Sequence, residues 1–322
     1  MKKHEVTALG ELLIDFTMNG VSDQGNPVYE ANPGGAPCNV LAMLTKLGHQ
    51  TAFIGKVGQD MFGKQLEQTL KKTGIDSYLV REEKVPTTLA FVKKLPGGDR
   101  DFCFYRNPGA DVMLKQEEIP LPVIENSRIF HFGSLSMTHD GVYEATKKAV
   151  LYAEEKKVLI SFDPNLRRSL WESDELARKR IDFGLSHCQI LKIADDEVTF
   201  VTGNRDCVQG ASELKKRYRI PLVLLTRGRE GSCALYEDIC VCEEAFLQKE
   251  TTDTTGAGDT FFGAALHMIC QEGVQGLTKE KLSEMLRFAN AASSLITLKK
   301  GALCVMPDRE QIEKLVRERQ GF

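Results

Sequence analysis

The run Asp253-Thr254-Thr255-Gly256-Ala257-Gly258-Asp259-Thr260-Phe261-Phe262-Gly263-Ala264 gathers the residue types that phosphate chemistry needs. Gly256 and Gly258 let the backbone turn tightly and leave room for a ligand to approach the chain. A helical pattern follows, so its first amides point outward at the positive end of the helix dipole. That is an anion site suited to a transferring phosphoryl group. Asp259 stands at its edge, where backbone donors favour the charged carboxylate and an attacking hydroxyl can give up its proton. The same letters also fit an aspartate N-cap after a glycine-rich turn. They are no dinucleotide fingerprint, because the third glycine and the preceding strand are missing.

A second phosphate-like run, Gly58-Gln59-Asp60-Met61-Phe62-Gly63-Lys64-Gln65, nearly matches a P-loop, but Gln65 stands where a Ser or Thr should hold magnesium. The bulk numbers are those of a globular protein: 322 residues, 42% hydrophobic, 27% charged, formal charge -3. No basic face for nucleic acid is indicated. The nine cysteines are irregularly spaced and form no zinc set, which predicts reduced, mostly buried thiols in a cytoplasmic protein. There is no signal peptide pattern and no apolar run long enough to span a membrane, so no membrane partner is expected.

The elements that must position these residues alternate. Strands are predicted at Glu5–Leu9, Thr51–Ile54, Arg128–Phe132, Val158–Phe162, Gln189–Ile193 and Pro221–Thr226. Helices are predicted between them: one carrying Phe62, Leu66 and Leu70 and stopping at Gly74, then Tyr143–Lys156, Val208–Tyr218, Ala257–Cys270, Leu282–Leu298 and Asp308–Arg319. Such alternation implies an α/β fold with a mostly parallel sheet and helices on both faces. Residues 17–33 and 88–106 break the rhythm. The second reads as a hairpin, Leu89–Leu95 and Asp101–Arg106 around a turn at Pro96-Gly97-Gly98-Asp99. Both segments fit either surface decoration or a lid over a cleft.

Gly34-Gly35-Ala36-Pro37-Cys38-Asn39-Val40, with Leu47-Gly48 and Gly55-Lys56-Val57-Gly58-Gln59-Asp60-Met61-Phe62-Gly63, resembles the N-terminal signature of the ribokinase-like (PfkB) carbohydrate kinases. Asp253–Asp259 resembles that family's C-terminal signature, and Gly10–Asp15, Thr226–Gly231 and Lys299–Ala302 fall in family order. The resemblance implies a single ribokinase-like domain over residues 1–322, a three-layer α/β/α sandwich with a small β-sheet lid from about 17–33 and 88–106. It implies ATP-dependent phosphorylation of a sugar hydroxyl, with Asp259 as base and Gly256, Ala257 and Gly258 as anion hole. Asp15, Gly34, Gly35 and Asn39 match sugar-contacting positions, and a carboxylate and an amide suit vicinal hydroxyls. Thr226, Gly228 and Gly231 match an ATP loop, and Asn290 a position near the adenine pocket. Glu197 matches a magnesium-associated glutamate acting through water; the asparagine often found three residues earlier is Ala194 here, with Asp195 and Asp196 as the nearest substitutes. Asp253, Thr255 and Gly301 resemble a monovalent-cation site, implying potassium beside magnesium.

Phe104–Asp111, Phe132–Ser136 and Phe162–Arg167 look most like bacterial and plant fructokinases. Asn165 and Arg167 follow a predicted parallel strand, the edge where ligands bind in open α/β sheets. Arg106 fits either a sugar contact or a packing role. The resemblance thus implies ATP and a small sugar as partners, fructose first, with 2-keto-3-deoxygluconate, ribose or a riboside as alternative acceptors. A sensor that binds both ligands without turnover is the remaining reading, and an intact Asp259 argues against it. A homodimer through the lid is compatible with the family pattern.

Overall fold

The computed structural model describes residues 3–94 and 100–320. The chain runs through β1 (His4–Leu9), β2 (Leu13–Val21), β3 (Pro27–Gly34), α1 (Ala36–Lys46), β4 (Thr51–Gly58), α2 (Met61–Thr73), β5 (Asp76–Glu82), β6 (Leu89–Lys94) and β7 (Arg100–Tyr105). It continues with α3 (Leu121–Glu125), β8 (Ser127–Gly133), α4 (Asp140–Glu155), β9 (Leu159–Asp163), α5 (Asp174–His187), β10 (Ile190–Ala194), α6 (Asp195–Thr202) and α7 (Cys207–Tyr218). Last come β11 (Leu222–Thr226), β12 (Ser232–Tyr236), β13 (Ile239–Glu243), α8 (Ala257–Glu272), α9 (Lys279–Ile296) and α10 (Arg309–Gln320).

Nine strands form the main sheet in the order β13-β12-β11-β10-β9-β8-β1-β4-β5. From β11 to β5 every pairing is parallel; β12 and β13 close the edge antiparallel. The parallel strands from β11 to β4 are buried on both faces, which is why they read as short apolar runs, whereas β5 at the edge has no buried residue. On β10, Ile190 enters the core of one face, while Leu191 and Ile193 enter that of the other. Leu41, Leu66, Phe262, Leu286 and Ile312 bring α1, α2, α8, α9 and α10 onto the first face. Ile124, Ala149, Ile181, Val198 and Leu214 bring α3 to α7 onto the second. Each fully buried side chain such as Phe262 contributes about 1.5–3 kcal/mol through lost water contact.

The order reverses at β1, whose neighbours are β8 and β4. In open α/β sheets the crevice at such a switch point, outside the carboxyl ends of the strands, is where ligands sit. The predicted site residues that follow β9 and β11 lie on that edge.

A separate four-stranded sheet, β3-β2-β6-β7, is built from the two segments that break the α/β rhythm. Its first strand starts at Leu13, ahead of residue 17, because β2 also pairs parallel with β6. The turn at Pro96–Asp99 lies outside the described residues. Asp15, Asn32, Ala90 and Phe104 are register partners and share one face. The other face carries Phe16, stacked on Phe91 at 4.9 Å and edge-on to Phe62 of α2 at 5.7 Å.

The near-P-loop is built as a helix cap, in keeping with its mismatch at Gln65: Asp60 caps α2, taking the Gly63 amide at 2.8 Å and the Thr87 amide at 2.7 Å. One expectation is corrected. The cysteines are neither all reduced nor mostly buried. Cys233 and Cys242 are register partners on β12 and β13 and are joined by a disulfide, while Cys103, Cys240 and Cys304 are exposed. Hairpin register brought the pair together, and a spacing of nine residues does not reveal register. Among the described residues no helix is long and apolar enough to cross a membrane.

Candidate active site

Asp259 is the third residue of α8, not its N-cap; the cap is Gly256, in the left-handed region at φ 75°. A Cβ there would stand 2.5 Å from the Ala302 side chain, so both space and conformation demand glycine. The Ala257 amide turns back to the Thr254 carbonyl at 3.2 Å. The Gly258 and Asp259 amides, next in the first turn, have no earlier helix carbonyl to bond and are free to face an anion.

Asp259 is 8% exposed, and its Oδ2 accepts a 2.8 Å hydrogen bond from Asn39 Nδ2 of α1. The contact joins the two signature segments across 220 residues of chain. Asn39 is 3% exposed, and its Oδ1 has no protein partner, an acceptor left for a ligand hydroxyl. Backbone donors were expected to hold Asp259 ionised. Instead burial pushes its carboxyl above the ordinary range, opposed by the Asn39 hydrogen bond and by the charges of Lys192 and Arg167. A raised carboxyl is the stronger base.

Gly34 and Gly35 are required for steric reasons. A Cβ on Gly34 would lie 2.3 Å from Asp15 Oδ2, and one on Gly35, at φ 135°, would lie 2.4 Å from the Glu11 carbonyl. Asp15 therefore lies directly against the start of α1. The same face of the small sheet meets the C-terminal loop: a Cβ on Gly301 would lie 3.2 Å from Asn32 Oδ1, and Lys300 donates to Asn19. Asp253, 3% exposed, ties that loop to the glycine turn, accepting from the Thr255 amide at 2.9 Å, the Thr255 hydroxyl at 2.7 Å and the Gly301 amide at 3.3 Å. The three residues of the candidate monovalent-cation site thus meet at one place.

At the end of β9, Asn165 adopts φ 41° and donates its amide to Asp163 Oδ1 at 3.0 Å. Arg167 beside it acts electrostatically on Asp259, so this loop and the base belong to one site. Glu197 is 5% exposed and accepts the Leu166 amide at 2.7 Å and the Ala194 amide at 2.8 Å, bracing the loop after β9 against α6. Among the described residues no group of three or more His, Cys, Asp or Glu could hold a metal.

Arg106 is 4% exposed and committed to the protein. Nε and Nη2 donate to Asp111 Oδ2 at 2.8 and 2.6 Å, Nη2 also to the Leu135 carbonyl at 2.8 Å, and Nη1 to Thr138 at 3.0 Å. Of the two roles open to it in the sequence, the structure favours bracing. In the ATP-loop candidates, Thr226 ends β11, Gly228 has φ 51°, and Gly231, at φ 97°, would drive a Cβ to 2.1 Å from the Glu243 carbonyl. Asn290 is buried rather than exposed. Its amide donates to the Glu243 and Glu244 carbonyls at 3.2 Å each, and its oxygen accepts from Ser232 at 2.8 Å. It therefore frames the strands beside that loop.

Two residues escaped the sequence reading. Lys192 sits mid-strand on β10 with Nζ 3.1 Å from Asp163 Oδ2. A lone lysine inside Ile190-Leu191-Lys192-Ile193 was the signal, since a buried parallel strand has no place for an unpaired charge. Glu11 is 3% exposed, and its Oε1 accepts the Ala36 amide at 2.8 Å, at the start of the helix that carries Asn39. It borders a small pocket that also touches Val40, His131, Asp163 and Asn165 but not Asp259.

Burial raises the Glu11 carboxyl from 4.5 to about 7, against the Ala36 hydrogen bond and the Arg106 charge. Because the folded state holds this proton more tightly, stability falls as pH rises from the unfolded value to about 7. The cost by pH 8 is about 3 kcal/mol. Glu11→Gln keeps the acceptor without the charge. It should gain about 2–3 kcal/mol over wild type between pH 5 and pH 8 in urea unfolding; parallel pH curves for the two proteins would contradict this.

The switch-point crevice, the helix-start amides and the carboxylate tied to a second, distant segment are the features that a small-molecule phosphoryl-transfer site needs. The model of the pfkB family carbohydrate kinases matches residues 3–309, and the chain belongs to that family. It is 39% identical to "Probable fructokinase-2" of Arabidopsis thaliana over 94% of this chain and 92% of that protein. A fructokinase from Xylella fastidiosa with bound ATP superposes with a TM-score of 0.89 at 28% identity, covering 99% of this chain and 100% of the other. A fructokinase double mutant from Vibrio cholerae O395, bound to fructose, ADP and a potassium ion, superposes at 0.87 and 26% identity over 98% and 99%. The fold is the ribokinase-like α/β fold, and the protein is a carbohydrate kinase.

Proposed function

We propose that this kinase transfers the γ-phosphoryl group of ATP to a primary hydroxyl of fructose, giving fructose 6-phosphate. The observation that carries this reading is the Asn39–Asp259 hydrogen bond, which sets a buried base beside a sugar-type donor–acceptor pair. The named relatives support fructose as acceptor. The sugar lies between Asp15, Asn39 and the small sheet, with Asn165 and Arg167 beyond. ATP lies along the C-terminal half, against the loop of Thr226, Gly228 and Gly231. Asp259 takes the proton of O6 as that oxygen attacks in line, and the Gly258 and Asp259 amides face the charge that gathers on the transferring group.

Among the described residues no three or more His, Cys, Asp or Glu side chains gather into a cage, which suits a magnesium ion that enters on the ATP phosphates and keeps its waters, with Glu197 reaching it through water. That ion would neutralise phosphate charge. Asp253, Thr255 and the carbonyl of Gly301 are an oxygen set suited to potassium, which would fix the shape of the glycine turn. The small sheet acts as a lid that excludes water from the acceptor. Its exposed apolar side chains, Met18, Tyr29 and Tyr105, suit pairing with a second lid.

A coupled ADP-release assay with fructose, 2-keto-3-deoxygluconate, ribose and a purine riboside tests the reading. Fructose should give the largest kcat/KM by at least about tenfold, the weight of one or two well-placed hydrogen bonds. A larger value for the acidic acceptor would assign Arg167 to its carboxylate and remove fructose. No turnover with any sugar, alongside tight ATP binding, would favour a sensor.

A further inference from the structure

Lys192 is a charge placed at some cost. β10 is an interior strand, and an ammonium taken out of water there needs strong compensation. Asp163, at the end of β9, supplies part of it, with Oδ1 at 3.2 Å and Oδ2 at 3.1 Å. One carboxylate satisfies at most two of the three N–H groups of an ammonium. The remainder faces α8: a Cβ on Gly258 would stand 3.2 Å from Lys192 Nζ and 3.6 Å from its Cε.

For a structural ion pair this is a poor location. An ammonium beside the first turn of a helix meets the positive end of the dipole, which disfavours cations. An anion arriving between them would reverse the sign of that interaction. The site needs such a cation. Asp163, Glu197 and Asp259 all act on Lys192, so a phosphate entering here meets three carboxylates. Burial opposes the lysine charge, but these carboxylates outweigh it and keep the ammonium protonated.

Resting on the phosphoryl-transfer reading above, we propose that Lys192 is the fixed cation of the anion hole, steered by Asp163 so that its ammonium contacts the migrating phosphoryl group beside Gly258. It supplies from the sheet the charge that the helix-start amides supply only as dipoles. Asp163, which touches no reacting atom, is a positioning residue.

The test compares Lys192→Met, Asp163→Asn and the double variant with wild type, using whichever sugar the wild-type enzyme turns over. Lys192→Met should lower kcat by ~10²–10³, as loss of one oxyanion donor does, with KM for sugar within about threefold. Removing one partner of a buried pair destabilises, whereas removing both charges need not. The double variant should therefore regain the wild-type melting temperature and keep the low kcat. It carries the test even where Lys192→Met fails to fold. Recovery of kcat together with melting temperature would reduce the pair to a structural bridge and overturn the proposal. So would a Lys192→Met kcat within about threefold of wild type. Wild-type inactivity with every sugar would sink the kinase reading instead. The double variant's affinities for ATP and ADP then decide: ATP should weaken at least about tenfold more than ADP, the weight of one charge-assisted hydrogen bond, and equal weakening overturns the proposal.

Discussion

Asp259→Asn is expected to lower kcat by ~10²–10⁴, the span of a positioned general base, while the dissociation constant for sugar stays within about threefold. The carboxylate and the amide are nearly isosteric, so α8 and its glycine cap are retained. Asn39 can turn its own amide to keep a hydrogen bond to the new side chain, because its Oδ1 is not otherwise engaged. Lost is the carboxylate at the start of α8 that takes the proton of the attacking hydroxyl. Steady-state ADP release and calorimetric sugar titration separate the two quantities. A fall in sugar affinity as large as the fall in kcat would make Asp259 a structural element of the site. A fall in kcat alone places it on the reacting hydroxyl.

Arg106→Leu should cost about 3–5 kcal/mol of stability, the usual result of removing one partner of a buried ion pair. Asp111, 3% exposed, would keep only the 2.5 Å hydrogen bond from Thr88, and the Leu135 carbonyl and Thr138 would lose a donor. Arg106→Lys should recover little of this, since a single ammonium cannot span three partners that a planar fork reaches together. Urea unfolding reports the loss directly. Unchanged stability with a raised KM for sugar would return Arg106 to the cleft as a substrate ligand.

Six parallel strands were legible because burial on both faces leaves short apolar runs between helical patterns, and observed and expected bounds differ mainly at the ends; β5, at the sheet edge with no buried residue, left no such run. The glycine turn before α8 was legible for the same kind of reason: Gly256 is demanded by φ and by Ala302 together. Other elements left weaker traces. The motif residues of α1 hid a helix that starts at Ala36, because Gly34, Gly35 and Pro37 are poor helix formers that mask its apolar pattern. α5 carries charges at most exposed positions, which dilute its apolar stripe. The β12–β13 hairpin holds its cysteines in register, a relation that spacing does not encode. In the site, residue types announced chemistry but not partnership. Asp259 read as a base, yet the burial that raises its carboxyl appears only when α1 closes over it. Lys192 was marked only by its place in an apolar run, and its role rests on Asp163 of β9 and Gly258 of α8 meeting it. Arg106 was visible as a charge where the small sheet joins the core, but not as one turned inward onto Asp111.

The most direct measurement is phosphorus and carbon NMR of the reaction of wild-type enzyme with ATP and carbon-labelled fructose, run beside Asp259→Asn. The predicted result is a phosphate ester on carbon 6, formed in step with ADP by the wild type and nearly absent with the variant. ADP accompanied only by inorganic phosphate, an ester at another carbon, or equal ester formation by the variant would contradict a buried carboxylate that deprotonates a primary hydroxyl at the start of α8.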